Sequence, residues 1–225
     1  MKPIEQDKKE VIIIDYKLGN LFSVKHACIK VGLSPVVTSD KALVSKAKAI
    51  ILPGVGAFAD AMENLKKMDL IAPLIDQVAN QTPIFGICLG MQLLFNESEE
   101  FGISKGTGII HGSIKKFPSR INEYSIKIPH IGWNKIYHHD EKKWEKSPFS
   151  RIEQNEYMYF VHSFFAIPEN PDNILSMTNY EGFEFCSAVI SNNVFATQFH
   201  PEKSAIMGIE IYKMWANINF KKDIT

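Results

Sequence analysis

Cysteine is scarce in this sequence, and the scarcity excludes two constructions at once. There are three, Cys28, Cys88 and Cys186, an odd number with no C-x-x-C pair, so neither a disulfide framework nor a zinc site is encoded. A basic excess is also missing. The 25 Lys+Arg balance 25 Asp+Glu, and nucleic acid or an anionic membrane would need clustered positive charge, so neither is an expected partner. No apolar run approaches the ~18 residues of a membrane span. The start, MKPIEQDKKE, lacks the apolar segment of a secretory signal. Residues 1–10 read as a polar tail before a single domain over residues 11–225, and the thiols fit a reducing cytoplasm. No phosphate loop of the G-x-x-x-x-G-K-S type, internal repeat or linker is present.

What remains is a chain of 225 residues, long enough to bury a core without a metal or disulfide staple. Its first half alternates short apolar runs with amphipathic stretches. VIII at 11–14, VV at 36–37, AIIL at 49–52 and PIFGI at 83–87 read as strands. Helices are expected from Leu21 to Val31, ended by Gly32, and near residues 59–67, 70–80 and 89–95. Apolar strands alternating with helices imply an α/β fold, a mostly parallel central sheet covered on both faces. The second half is richer in strands, at 108–116, 157–166, 185–190 and 194–198, the last two joined by a turn at Ser191-Asn192-Asn193. These add antiparallel strands to the domain. HHDEKK at 138–143 reads as a solvated loop, and a final helix covers 205–217.

Cys88 stands apart from the other two thiols. Cys28 and Cys186 lie within apolar periodic stretches and read as packing residues. Cys88 lies in GICLG, between two glycines at a strand-to-helix junction, the form of a nucleophile elbow. Such a turn presents the side chain above the sheet in a strained conformation, and the glycines remove Cβ contacts with the neighbouring strand and helix. A thiol there sits at a helix N-terminus, which favours the thiolate, and the Leu89 amide can donate to an oxyanion. The elbow alone is compatible with any thiol enzyme of α/β-hydrolase type.

A thiol nucleophile needs an imidazole. His26, His138 and His139 fall in polar surroundings, and His111 and His130 suit core or rim positions. His162 lies within a strand. His200 ends the strand FATQF, and Pro201 and Glu202 follow at once. Proline forces the chain out of the sheet, and extended geometry across it brings Glu202 beside the ring, the orienting role in a triad.

Together, GICLGMQ at 86–92 and QFHPEKS at 198–204 resemble the class I, triad-type glutamine amidotransferases. DYKLGNL at 15–21, LPGVGAF at 52–58, PHIGWN at 129–134 and YFVHS at 159–163 narrow the resemblance to glutaminase subunits of imidazole glycerol phosphate synthases. It runs from about residue 11 to the end of the chain.

The resemblance implies hydrolysis of glutamine to glutamate and ammonia, without cofactor or metal. Cys88 would attack the amide, His200 would move the proton and Glu202 would orient His200. Gly54, Val55 and Gly56 would supply the second oxyanion donor beside Leu89. Gln92, His162 and Ser163 match positions that hold the substrate, and Lys203, Tyr159 and Asn20 match positions near an ammonia passage and partner interface. The partner implied is a (β/α)₈-barrel cyclase subunit in a heterodimer. Rotation of the Gly54–Val55 peptide on complex formation would keep the isolated subunit slow. One departure is Lys17, where the family carries glycine. Three other readings remain open on the sequence: a peptidase or γ-glutamyl hydrolase, a non-catalytic module, and a paralogue feeding ammonia to a sugar-modifying enzyme.

Overall fold

The structure, a computed structural model, describes residues 9–121 and 124–220. The first half contains β1 (Glu10–Ile14), α1 (Leu21–Lys30), β2 (Ser34–Thr38), α2 (Lys41–Val44), β3 (Ile50–Leu52), α3 (Phe58–Lys67), α4 (Ile71–Ala79), β4 (Ile84–Ile87) and α5 (Leu89–Leu93). The second half continues with β5 (Phe95–Ser98), β6 (Ser104–Lys105), β7 (Ile110–Lys116), β8 (Arg120–Ile121), β9 (Tyr124–Ser125) and β10 (His130–Ile136). It ends with α6 (Glu141–Glu145), β11 (Glu156–His162), β12 (Phe164–Pro168), β13 (Ile174–Tyr180), β14 (Phe183–Ser191), β15 (Val194–Thr197) and α7 (Ala205–Asn219).

The central sheet has the order β2-β1-β3-β4-β15-β14-β12-β7-β5-β6, with β13 paired to β14. From β2 to β15 every pairing is parallel. Beyond β15 the sheet is antiparallel except for β5 against β7. β3, β4 and β15, and β1 after Glu10, are buried along their length because both faces are covered, whereas the edge strand β2 is half-buried. Val11, Ile13, Ile51, Phe85 and Phe195 join one core with Tyr212 and Trp215 of α7. Ile12, Ile14, Ile50, Ile84 and Ala196 join the other with Phe58, Leu65 and Leu74 of α3 and α4. This is the period-two split expected of strands buried on both sides.

The structure corrects several expectations. The polar tail lies mostly outside the described residues, and Glu10 already opens β1. The helix after Cys88 stops at Leu93, because Phe95 enters the sheet beside β7. The strand expected over 157–166 is two strands. β11 pairs with β10 in a separate ribbon, and β12 enters the main sheet, with Ser163 at the break. The loop expected over 138–143 turns helical at Glu141, where the Asp140 side chain caps α6 and the buried Trp144 donates to the Leu175 carbonyl at 2.7 Å.

Lys17 has φ +71°, the left-handed conformation that glycine adopts at no steric cost. The Asp15 carboxylate accepts from its backbone N–H at 2.9 Å and holds the turn.

Candidate active site

β4 and β15 are parallel neighbours with Ile87 opposite Thr197, so both chains leave the sheet at the same carboxyl edge. Cys88 follows one and His200 the other. This is where parallel α/β sheets build their sites. Cys88 has φ +54° and ψ −109°, a strained elbow, and is 6 % exposed. Its flanking glycines are needed for space. A Cβ at Gly90 would lie 1.7 Å from the Leu52 carbonyl oxygen, and one at Gly86 would meet Leu94 Cδ1 at 2.9 Å and Ala196 Cβ at 3.0 Å. The first amides of a helix have no intrahelical acceptor, which leaves the Leu89 N–H available.

His200 is seated by its own backbone, whose N–H donates to the Tyr159 carbonyl at 2.9 Å. Its ring Nδ1 lies 2.8 Å from Glu202 Oε1, and both side chains are buried. Glu202 gets there differently from the extended path expected. Pro201–Lys203 form a 3₁₀ turn that folds the carboxylate back over the ring. Burial opposes the imidazolium, but the charge of Cys88, a hydrogen bond with it and the Glu202 carboxylate prevail, raising His200 to about 10. That contact with the sulfur falls short of ideal geometry, so Nε2 has no well-formed partner. The sulfur itself lies 3.9 Å from the Val161 carbonyl and 3.7 Å from the Gln198 amide nitrogen.

The cavity beside Cys88 has a volume of about 340 Å³. Of the residues expected at the substrate, Val55, Gly56, Leu89, Gln92, His162 and Ser163 line it. Gly54 sits behind it, where a Cβ would lie 2.0 Å from Tyr16 Oη. Close approach, rather than a left-handed backbone, therefore requires glycine at 54; Gly56 does adopt φ +107°. Tyr16 donates to the Pro53 carbonyl at 2.6 Å and pins the start of this loop.

Gln92 gives both amide protons inward, to Phe164 O at 3.1 Å and Gln198 Oε1 at 3.0 Å, leaving its own oxygen for a ligand. Both nitrogens of the His162 ring are already engaged. Its Nδ1 is 2.8 Å from Phe164 O and its Nε2 is 3.0 Å from His130 Nδ1, so the backbone is what this residue offers. Burial drives His162 down to about 3 and His130 to about 4, keeping both rings neutral. Sequence reasoning missed Glu100, whose carboxylate lines the cavity and accepts from the Phe58 N–H at 2.6 Å. Nothing in its spacing singles it out.

The ribbon of β10 and β11 covers one side of the site. Ile131, Trp133 and Tyr157 project outward from it and are about half exposed or more. Lys203 stands 5.8 Å from the Tyr159 ring centroid on the same side, which places two of the expected interface residues together. Asn20 caps α1, accepting from Ser23 N at 3.4 Å. Among the described residues no group of three or more His, Cys, Asp or Glu is arranged to hold a metal. Nor is any helix long and apolar enough to cross a membrane.

A family profile described as Glutamine amidotransferase class-I matches residues 12–212. The chain is 43% identical over 208 residues to the imidazole glycerol phosphate synthase subunit HisH of Geobacter metallireducens, covering 92% of this chain and 97% of that protein. The chain belongs to the class I glutamine amidotransferases, in the HisH family. Another HisH, from Geobacillus kaustophilus, is 42% identical over 208 residues and covers 92% of this chain and 95% of its own length. Among solved structures, PurLQS from Thermotoga maritima aligns with a TM-score of 0.67 at 20% identity, over 96% of this chain and all of that one. The glutaminase domain of Trypanosoma brucei CTPS, solved with bound acivicin, gives 0.64 at 16% identity over 96% and 95%. At those identities the likeness is one of fold, and it is the fold of this amidotransferase family.

Proposed function

We propose that this HisH-family chain hydrolyses L-glutamine at Cys88 and delivers the ammonia to a (β/α)₈-barrel cyclase subunit in histidine biosynthesis. The cyclase would use it to form imidazole glycerol phosphate and aminoimidazole carboxamide ribotide. The observation that carries the reading is the Cys88 sulfur, held at a strained elbow beside a buried His200–Glu202 pair and at the wall of a cavity sized for one amino acid.

The Cys88 thiolate attacks the side-chain amide carbon, forming a C–S bond while the carbonyl π electrons move to oxygen. The Leu89 N–H and an N–H of the Gly54–Val55–Gly56 loop receive that charge. The His200 imidazolium, oriented by Glu202, gives its proton to the leaving nitrogen, and ammonia departs from a thioester. His200 then takes a proton from water, whose oxygen displaces the sulfur and releases glutamate. Glu100 and the Gln92 oxygen suit the substrate ammonium. The Ser163 hydroxyl and the backbone beside His162 suit its carboxylate. Ammonia is protonated in bulk water and is then no nucleophile, so a covered exit is required. The outward face around Trp133, Tyr159 and Lys203 lies next to the site and is where the cyclase would dock. Rotation of the Gly54–Val55 peptide on docking would bring the oxyanion donor into place and keep the isolated chain slow.

The test is ammonia release from glutamine by wild type and Cys88→Ser, with and without the cyclase and its ligand. Cyclase-dependent turnover that Cys88→Ser abolishes is expected. Full activity of the isolated chain would overturn the coupling, and an active Cys88→Ser would overturn the nucleophile.

A further inference from the structure

We infer that Gln198 is a catalytic residue of this site, its amide N–H₂ donating to the Cys88 sulfur, with Gln92 as the positioning residue that, bonded to the Phe164 carbonyl, holds the donor chain in one polarity. This rests on Cys88 being the nucleophile.

Gln198 is fully buried and immediately follows β15, with its backbone N–H given to the Ser187 carbonyl at 2.9 Å. Its side chain spans from Gln92 Nε2, at 3.0 Å from Oε1, to Cys88 Sγ, at 3.7 Å from Nε2. Amide oxygen and nitrogen have the same shape, so hydrogen-bonding chemistry must decide which end faces the sulfur.

The backbone carbonyl of Phe164 decides it, because a carbonyl can only accept. It faces Gln92 Nε2 at 3.1 Å and His162 Nδ1 at 2.8 Å, and both must bring hydrogen. Gln92 therefore turns its N–H₂ to Phe164, and its second hydrogen meets the Gln198 oxygen. The Gln198 N–H₂ is left facing sulfur. Inverting Gln198 alone sets two N–H₂ groups against each other, and inverting Gln92 sets two oxygens together.

The other arm is fixed by the same carbonyl. His162 carries hydrogen on Nδ1, so its neutral ring offers a lone pair at Nε2. That lone pair accepts from His130 Nδ1 at 3.0 Å. The remaining His130 nitrogen accepts from Asn134 Nδ2 at 3.4 Å, and Asn134 also donates to the Asn179 carbonyl at 3.0 Å. Every polar atom in this sequence of contacts has one permitted role. A donor held in a dry interior stabilises charge that develops on its acceptor, so Gln198 fixes the direction of the sulfur and stabilises the charge it carries in the attack.

The experiment compares wild type with Gln198→Leu and Gln198→Glu in the complete complex. It measures the pH profile of Cys88 alkylation by iodoacetamide, located by peptide mass, together with kcat and KM for glutamine. Gln198→Leu should move the profile to higher pH by about one unit and lower kcat about ten-fold, with a smaller change in KM. Gln198→Glu, which sets a carboxylate against sulfur, should move it further the same way. A folded Gln198→Leu with the wild-type profile and kcat overturns the inference. Should Gln198→Leu fail to fold, the side-chain amide resonance of Gln198 in ¹⁵N-labelled wild type must respond as Cys88 titrates, and an unresponsive resonance overturns it. Cys88→Ser, run alongside, separates the two ideas. If it stays active the nucleophile assignment fails, and if it is dead while Gln198→Leu equals wild type, only the role of Gln198 fails.

Discussion

His200 Nδ1 lies 2.8 Å from Glu202 Oε1, two residues apart, because the single 3₁₀ turn Pro201–Lys203 folds the carboxylate back to the ring. The pair is sealed from solvent, so its charge state carries both chemistry and stability. Replacing Glu202 by Gln removes one of the two charges that favour the imidazolium, the other being that of Cys88, while keeping a similar shape. We expect kcat for glutamine to fall about 10²-fold with KM little changed, since positioned proton transfer typically contributes that much. The stability effect has a sign. The folded state raises His200 to about 10, so its contribution is complete below about pH 6.5 and is lost as pH rises toward 10. The melting-temperature advantage of wild type over Glu202→Gln should therefore shrink across that window, as thermal scans at pH 6, 8 and 10 would show.

The buried rings of His130 and His162 work in the opposite direction. Folding lowers them to about 4 and about 3, so below about pH 6.5 the unfolded chain binds protons that the folded chain refuses. Stability should fall as pH drops from 6.5 toward 4, by roughly 2–5 kcal/mol at pH 4.5 given about 1.4 kcal/mol per unit for each ring. Urea titrations at pH 7 and 4.5 measure this. A wild-type chain equally stable at both would contradict it, and His130→Phe should flatten the slope.

Two glycines test the elbow's sterics. A Cβ at Gly90 would overlap the Leu52 carbonyl, a backbone atom that cannot rotate away, whereas Gly32 has φ +81° but nothing within 4 Å. Gly90→Ala should cost more than about 3 kcal/mol or prevent folding. Gly32→Ala should cost only the left-handed strain, about 1 kcal/mol. Denaturation midpoints of the two variants decide it, and equal values would refute the steric account.

The outward face of the β10–β11 ribbon offers a third separation. Trp133→Ala should weaken cyclase binding at least ten-fold, as central aromatic anchors typically do, while the free chain keeps its melting temperature. Lys203→Ala should lower the share of ammonia that reaches the cyclase. Calorimetric binding and the ratio of product to glutamate measure the two effects. Intact coupling and binding in Lys203→Ala would remove that residue from the passage.

The elbow and the closeness of Glu202 to His200 were legible in the sequence because both are local, although the path between the two is a 3₁₀ turn rather than the extended one expected. GICLG and HPE set their geometry within five residues, through glycine's missing Cβ and proline's missing N–H. The helix after Cys88 was read two residues too long, since Phe95 is equally apolar in a helix or a strand and only β7 decides between them. Glu100 has no pattern of its own. It joins the cavity because the chain after β5 brings it to the N-terminus of α3, where the Phe58 N–H takes one carboxylate oxygen.

By itself, the sequence determined the α/β alternation, the strained thiol and the imidazole with its carboxylate, because period, glycine spacing and a proline act over a few residues. Tertiary structure alone decided that Ile87 and Thr197 end side by side, and that Gln92 and His162 meet at one carbonyl with Gln198 and His130 bonded to them in turn. Those contacts join residues up to 110 positions apart, and the pairing of distant strands, which no window of a few residues contains, is what brings them together.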